Sequence, residues 1–377
     1  MMEMLINDPL MLAVTTLFIF WLGCCIGSFL NVCIWRIPRG ESIVHPPSHC
    51  PVCNDAIPFY LNVPILSWCM LRGKCRSCKT PISPRYVIVE LLVGLLYLLI
   101  WGVVLYKKLP LSVLPGWLTL APILVTCSFI DIEKHIIPNK LTYFGVAAGL
   151  IFSGFFPLMQ GVGQPGVLFP LQNEFFLPLV KRVLGATSPL GGSEQVESLI
   201  LSFAGFAFGY LFLMLFIEFG KLLMGKELVK VKDAVEFTFD GETLGLGGEA
   251  HLLSAFIMRK SDKVVVTLEN ADVVSIGYDE LSLNGKSVSV LPDGMKAVKW
   301  VLPREVMGYG DAKLLAACGA FLGMEGAILT LMIASVAGTL LMLPSAVLSK
   351  KKRRYFPFGG FLALGVLLLL VTFSGLV

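Results

Sequence analysis

Seven apolar runs of a length that crosses a bilayer dominate the sequence, near 10–34, 87–106, 111–130, 136–158, 199–219, 325–347 and 357–376, and a shorter one occupies 312–323. About 20 apolar residues span the hydrocarbon core as a helix, and a helix satisfies its own backbone polar groups where no water is present. The expected fold is therefore an all-α polytopic membrane protein with about eight transmembrane helices. Composition agrees, with 56% hydrophobic and only 15% charged residues and a mean hydropathy of +0.79.

Orientation follows from Lys and Arg, which accumulate in cytoplasmic loops. With the N-terminus outside, and leaving aside the long loop 220–304, where charge is a poor guide, the cytoplasmic loops carry fourteen of them: Arg36, Arg39, Arg72, Lys74, Arg76, Lys79, Arg85, Lys134, Lys140 and the KKKRR tract at 350–354. The opposite loops carry four, at Lys107, Lys108, Lys181 and Arg182. The opening MMEMLINDPL has acids where a cleavable signal would have bases, so the first span is expected to stay attached. These loops account for the net charge of +4, which gives no reason to expect nucleic acid.

Three stretches depart from apolar helix: a Cys- and Pro-bearing polar loop at 36–86, a Gly- and Pro-rich exterior loop at 159–198, and a segment at 225–304. In the last, AVEFTFDGETL and ELSLNGKSVSV alternate apolar and polar residues around Asp240-Gly241 and Asn284-Gly285, dipeptides that favour tight hairpins. VVVTLENADVVSI supplies further strands. The expectation is a small cytoplasmic β domain inserted between helices. Its ten Lys and Arg against thirteen Asp and Glu between 226 and 305 point to no charged partner.

The polar loop holds CPVC at 50–53 and CRSC at 75–78, two C-x-x-C turns separated by twenty-one residues. That spacing is close to a zinc ribbon's, with Cys50, Cys53, Cys75 and Cys78 completing a tetrahedron and leaving no open position for catalysis. Paired disulfides or idle thiols are the alternatives, and a reducing cytoplasm argues against disulfides. His45 and His49 lie nearby and rank below the cysteines as ligands. The other six cysteines mostly sit in apolar surroundings, as small buried hydrophobes do.

Two carboxylates sit at span boundaries on the same expected face: Asp131 in CSFIDIEKHIIPN and Asp311 in MGYGDAKLL. Brought together, they would share one proton, because two adjacent carboxylates do not both ionise easily. One would then take a proton from water while the other donates to a scissile carbonyl. Plainer roles stay open: Asp311 as a helix N-cap, and Asp131 as boundary charge beside Glu133, Lys134 and His135. Gly308 and Gly310, which let a substrate strand or a helix approach the backbone, favour the first reading for Asp311.

These pieces resemble the type IV prepilin peptidases, bifunctional membrane aspartic proteases of the G-x-G-D type. The resemblance rests on GSFLNVCIWRIPRGES at 27–42, the cysteine tetrad followed by PISPRYVIVELL at 81–92, FIDIEKHIIPNKLT at 129–142, EVMGYGDAKLLAACGAFLG at 305–323 and FPFGGFLALG at 356–365. It implies a multi-pass protein of the bacterial inner membrane, with its active site on the cytoplasmic side. Its substrates would be prepilins and pseudopilins of type IV pilus or type II secretion systems, cleaved behind a basic leader. The new N-terminal amine would be methylated from S-adenosylmethionine. Carried over, the catalytic pair is Asp131 and Asp311, and the Zn²⁺ ligands are the four cysteines. By the same resemblance, residues 1–110 with the 36–86 loop belong to methyl transfer, 111–224 with 305–377 to the peptidase, and 225–304 is an insertion longer than the family's usual linker.

Glu133 and Asn139 stand where the family often has Asp, which leaves Glu133 as a rival carboxylate. The methyl donor's residues are not legible. GVGQPG at 161–166 matches a dinucleotide-binding pattern but follows no strand, and Glu90 reads as a possible participant or as a snorkelling boundary residue. A peptidase without methyl transfer and a non-enzymatic assembly factor are the alternative functions.

Overall fold

The computed structural model describes residues 7–160, 194–224, 307–348 and 357–372, most of 227–302, and the isolated positions 162, 178 and 182. GVGQPG apart from Val162, the remainder of its loop apart from Pro178 and Arg182, and the KKKRR tract lie outside the described residues. The chain divides into two compact units, Met1–Met214 with Tyr309–Val377, and Leu215–Gly308.

The long helices are α1 (Pro9–Arg36), α2 (Arg85–Tyr106), α3 (Leu114–Lys134), α4 (Asn139–Phe155), α5 (Glu194–Met224), α6 (Tyr309–Leu348) and α7 (Phe358–Thr372). Five of them, α1, α2, α3, α5 and α6, are long and apolar enough to cross a membrane, and α7 is a shorter apolar helix. Local chemistry sets their ends. Asp8 caps α1 by accepting from the Leu10 and Met11 amides at 3.0 and 3.2 Å, with Pro9 in the first turn. α3 stops at His135, whose left-handed backbone (φ 58°, ψ 32°) returns its N–H to Asp131 O at 2.9 Å, and Pro138 follows.

The runs at 312–323 and 325–347 are not separated by a loop. Both belong to α6, which is interrupted at Gly323 (φ 70°, ψ −174°). Such a break strands carbonyls of the preceding turn, and inside an apolar bundle they need donors. Gln160 Nε2 donates to Ala320 O at 3.1 Å and Phe321 O at 3.2 Å. Ser202 Oγ and Ser153 Oγ also donate to Ala320 O, at 2.5 and 3.2 Å. The half of α6 before the break is buried nearly all round, as expected of a helix with no polar face.

Glycine pairs let α5 lie against this half. Gly205 and Gly209 on α5 form a G-x-x-x-G pair, as do Gly319 and Gly323 on α6, the spacing that permits close helix approach in membranes. A Cβ on Gly205 would sit 2.3 Å from Gly319 O, a backbone atom that cannot swing aside. Gly205→Val is therefore expected to lower the stability of the detergent-solubilised protein by about 1–3 kcal/mol, the usual cost of overpacking. Gly102→Ala, where a Cβ meets nothing within 4 Å, is the neutral control; equal melting temperatures for the two variants would contradict the packing argument.

The second unit carries strands β1 (Glu227–Phe239), β2 (Thr243–Leu246), β3 (Glu249–Leu252), β4 (Val264–Leu268), β5 (Val273–Ile276), β6 (Leu281–Leu283), β7 (Lys286–Ser287) and β8 (Lys296–Leu302), which form an antiparallel sheet in the order β3-β2-β1-β8-β4-β5-β6-β7. Its longest strands are β1 and β8. The β6–β7 turn is Asn284-Gly285, both at positive φ (50° and 78°), joining paired Leu283 and Lys286, the two-residue turn that this dipeptide favours. At Asp240-Gly241 the connection is longer. Phe239 pairs with Leu244, and Asp240 Oδ1 accepts from Thr243 N at 2.6 Å. Alternate residues Phe237, Val264, Val266, Val274 and Ile276 are buried in one core.

Candidate functional site

Asp131 lies in the last turn of α3 and Asp311 in the first turn of α6, and they are 1% and 5% exposed. That burial does not suit ordinary boundary charge. Asp311 is the third residue of α6 rather than the residue before it. Asp131 Oδ2 accepts from the Gly359 amide at 3.1 Å, at the start of α7. Gly359 is a close-approach position: a Cβ there would stand 3.0 Å from both Asp131 Oδ2 and Ile137 Cδ1. On the other side, a Cβ on Gly310 would meet Ile137 Cβ at 2.8 Å. Ile137 thus packs against both the glycine beside Asp311 and the glycine bonded to Asp131. Gly308 falls at the end of the other unit.

The same end of the helical unit is tied together by polar contacts. Arg85, opening α2, pairs with Glu133 on the last turn of α3. Glu133 is accordingly engaged elsewhere, which weakens its case as a rival carboxylate. Lys313 Nζ donates to Asn139 Oδ1 at 2.6 Å, linking the first turns of α6 and α4. The loop between α1 and α2 leaves and re-enters the bundle at this end.

Within that loop the two cysteine turns have one architecture. Cys50 N donates to Asp55 O and Cys75 N to Thr80 O, and Asn54 N and Lys79 N return to Cys50 O and Cys75 O. Asn54 and Lys79, each four residues after the first cysteine, share a left-handed backbone (φ 56° and 58°). The bridges His49–Ala56 and Lys74–Pro81 close both turns in the same register. All four Sγ atoms lie within 4.8 Å of one another, with Cys50–Cys78 at 3.8 Å and Cys53–Cys75 at 4.0 Å. Zn–S bonds of about 2.3 Å in a tetrahedron require S···S separations near 3.8 Å, so the sulfurs present fit such an ion. All four are free of disulfides.

Electrostatics favours a cation as well. The Thr80 hydroxyl and amide hold the Cys78 thiol down at about 6. At Cys53 the hydrogen bond from Asp55 favours the thiolate, but desolvation and the neighbouring sulfurs outweigh it and push this thiol up to about 12. A dication at the centre would remove that repulsion. Neither His45 nor His49 joins the cluster, and the His49 ring contacts Pro47 O at 2.9 Å instead.

Glu90 does not snorkel. It is 7% exposed, and its Oε2 accepts from the Ile65 amide at 2.7 Å. Gly359 and Ile137 were not singled out from the sequence. The Gly-Gly pair after Pro357 carried a signal for the first, since a backbone amide offered to a buried carboxylate needs a residue without a side chain in the way.

Two family models match the chain: the bacterial peptidase A24 N-terminal domain over residues 21–104, and the type IV leader peptidase family over residues 282–343. The first covers the cysteine tetrad and the second Asp311, while Asp131 lies between them. A prepilin leader peptidase/N-methyltransferase of Neisseria gonorrhoeae is 35% identical over 200 residues, 46% of this chain and 68% of that protein. The chain belongs to the type IV leader peptidase family. Proteins of the same name from Myxococcus xanthus (44% identical; 37% of this chain, 40% of that protein) and Aeromonas hydrophila (37% identical; 36% and 53%) are also similar. The chain thus spans from about two fifths to two thirds of the length of these type IV leader peptidase relatives. No solved structure matches it significantly.

Proposed function

We propose that the chain is a membrane aspartic endopeptidase that removes the basic leader from prepilins and pseudopilins and then methylates the exposed N-terminal amine from S-adenosylmethionine. The observation that carries the reading is the burial of Asp131 and Asp311, from stretches 180 residues apart in sequence, on helix ends that share Ile137 as a neighbour. The names of the relatives supply both activities, and the matched family models bracket both halves of the chain.

In this mechanism the two carboxyl groups hold one proton between them. The ionised member takes a proton from water as the water oxygen bonds to the scissile carbonyl carbon. The protonated member gives its proton to the carbonyl oxygen. Collapse of the tetrahedral species breaks the C–N bond, and the leaving nitrogen departs as an amine after receiving a proton from the pair. Gly359 N–H orients the Asp131 carboxylate, and Gly310, without a side chain, admits Ile137 beside Asp311.

The cysteine tetrad would hold a structural Zn²⁺ through Cys50, Cys53, Cys75 and Cys78; when bound it supplies shape to the 36–86 loop and no open coordination position. Residues 1–110 serve methyl transfer, 111–224 with 305–377 serve proteolysis, and 225–304 form an inserted cytoplasmic β domain. The chain crosses the bacterial inner membrane eight times in this reading, the two halves of α6 counted separately, with the active site on the cytoplasmic face where a basic leader lies. Purified protein incubated with a prepilin is expected to release the leader, and to add one methyl group to the mature N-terminus only when S-adenosylmethionine is supplied. An intact prepilin mass after incubation would refute the peptidase reading, and an unmethylated product the second activity.

A further inference from the structure

Between the cysteine-bearing loop and the ends of α1 and α2 lies a cavity of about 960 Å³, at the upper end of the range for small-molecule sites. Its wall includes Cys50 and Cys75 from the two cysteine turns, so the tetrad holds part of it in place. Five features of the wall are unexplained by the fold. Asn31, 2% exposed, uses Nδ2 on Tyr86 O (3.0 Å) and Gly27 O (3.3 Å), an arrangement that fixes its orientation and leaves Oδ1 without a partner among the described residues. Ser67 Oγ, on a residue 8% exposed, and Arg85 Nε are buried and equally unpartnered. Glu90 is a buried carboxylate with no cationic side chain within ion-pair distance among the described residues. Ile65, whose amide donates to Glu90, has φ 61° and ψ −54°, a strained conformation for a β-branched residue, of a kind that concentrates at ligand sites.

Buried polar groups of native proteins are almost always satisfied, and a buried charge calls for an opposite one. The wall therefore asks for a ligand with a cation for Glu90, an acceptor for Arg85 Nε and further polar groups for Asn31 and Ser67. Trp35, Trp68 and Tyr86 line the same space and offer ring faces for a planar base. Arg85 and Glu90 both line the cavity from the first two turns of α2.

We propose that this cavity is the binding site for S-adenosylmethionine, with the donor's cationic methionyl end against Glu90, its carboxylate toward Arg85 and its purine against the aromatic wall. The assignment rests on the methyl-transfer reading above and locates it. The site lies beneath the tetrad, which gives the metal a purpose: it holds the outer wall of the cavity.

The test uses full-length protein purified in detergent with its metal bound. Ultraviolet cross-linking to S-[methyl-³H]adenosylmethionine and peptide mapping are expected to place the label within 28–41, 48–68 or 71–90, the stretches that line the cavity. Glu90→Gln keeps an oxygen for the Ile65 amide but removes the charge. It is expected to bind S-adenosylmethionine about tenfold or more weakly, the scale of a lost charged hydrogen bond, with a smaller loss for S-adenosylhomocysteine, whose sulfur is neutral. Label mapped elsewhere on the parent, or parental affinity in Glu90→Gln, overturns the site while a methylating parent leaves the activity standing. A parent that neither binds the donor nor methylates overturns both. The map on the parent protein decides the matter even where the variant fails to fold.

Discussion

Asp131→Asn and Asp311→Asn are each expected to lower the rate of prepilin cleavage by about 10²–10⁴-fold, the usual share of general acid–base catalysis. The reason lies in what each carboxyl group does and the amide does not. An asparagine neither takes a proton from water nor donates an acidic one to the carbonyl oxygen, yet it has nearly the same volume in a site with almost no exposed surface. At position 131 its side-chain oxygen still accepts from Gly359 N, so the local fold is expected to survive. Cleavage is read as loss of leader mass over time, with melting temperature and metal content as folding checks. Glu133→Gln is the matching control, because that carboxylate is committed to Arg85 and is expected to retain cleavage within a few-fold of the parent. Full processing by either aspartate variant would remove the dyad from the mechanism. A loss at Glu133 equal to that at Asp131 would shift the role toward Glu133.

The elements that the sequence made legible are those specified by local chemistry. Asn284-Gly285 becomes a two-residue hairpin turn because few other dipeptides tolerate two positive φ values in succession. CPVC and CRSC become matched turns because the spacing itself encodes the geometry. What stayed hidden depends on partners distant in the chain. The interruption between 312–323 and 325–347 read as a gap between two spans, and hydropathy does not distinguish a loop from an internal break. The break is sustained by Gln160, Ser153 and Ser202, none of which announces itself as a donor to Ala320. Glu90 was legible as a carboxylate at a helix start, but whether it faces solvent or interior was decided by the loop folding Ile65 down onto it. Asp131 and Asp311 were visible as candidates from their positions; that Ile137 packs beside both of their supporting glycines required the packing of α3, α6 and α7.

Removal of the tetrad is expected to separate the two activities. Cys75→Ser with Cys78→Ser leaves two thiols, too few for a closed tetrahedral site, and the bound metal is expected to fall from one equivalent to near zero by elemental analysis. Besides its backbone turns and side-chain hydrogen bonds such as Ile65 N to Glu90 and Trp68 Nε1 to Ile82 O, the loop buries few apolar side chains of its own among the described residues. Its turns are short, it includes the five-residue helix Leu66–Met70, and many of its apolar residues, among them Val44, Val52, Leu66 and Met70, are exposed. Small metal-bound modules of this kind draw most of their folding free energy from the ion. Loss of order should therefore show as faster limited proteolysis between residues 36 and 86. Methyl transfer should fall by about tenfold or more, since ligand binding weakens in proportion to the fraction of protein in the competent conformation. The aspartates are held differently, on α3 and α6 and with Gly359 N of α7 bonded to Asp131, so cleavage should retain the larger share of its parental rate. Metal content equal to the parent's in the double variant would dismiss the tetrad. Equal losses of cleavage and methyl transfer would mean that the loop supports the whole helical unit rather than one wall of a binding site.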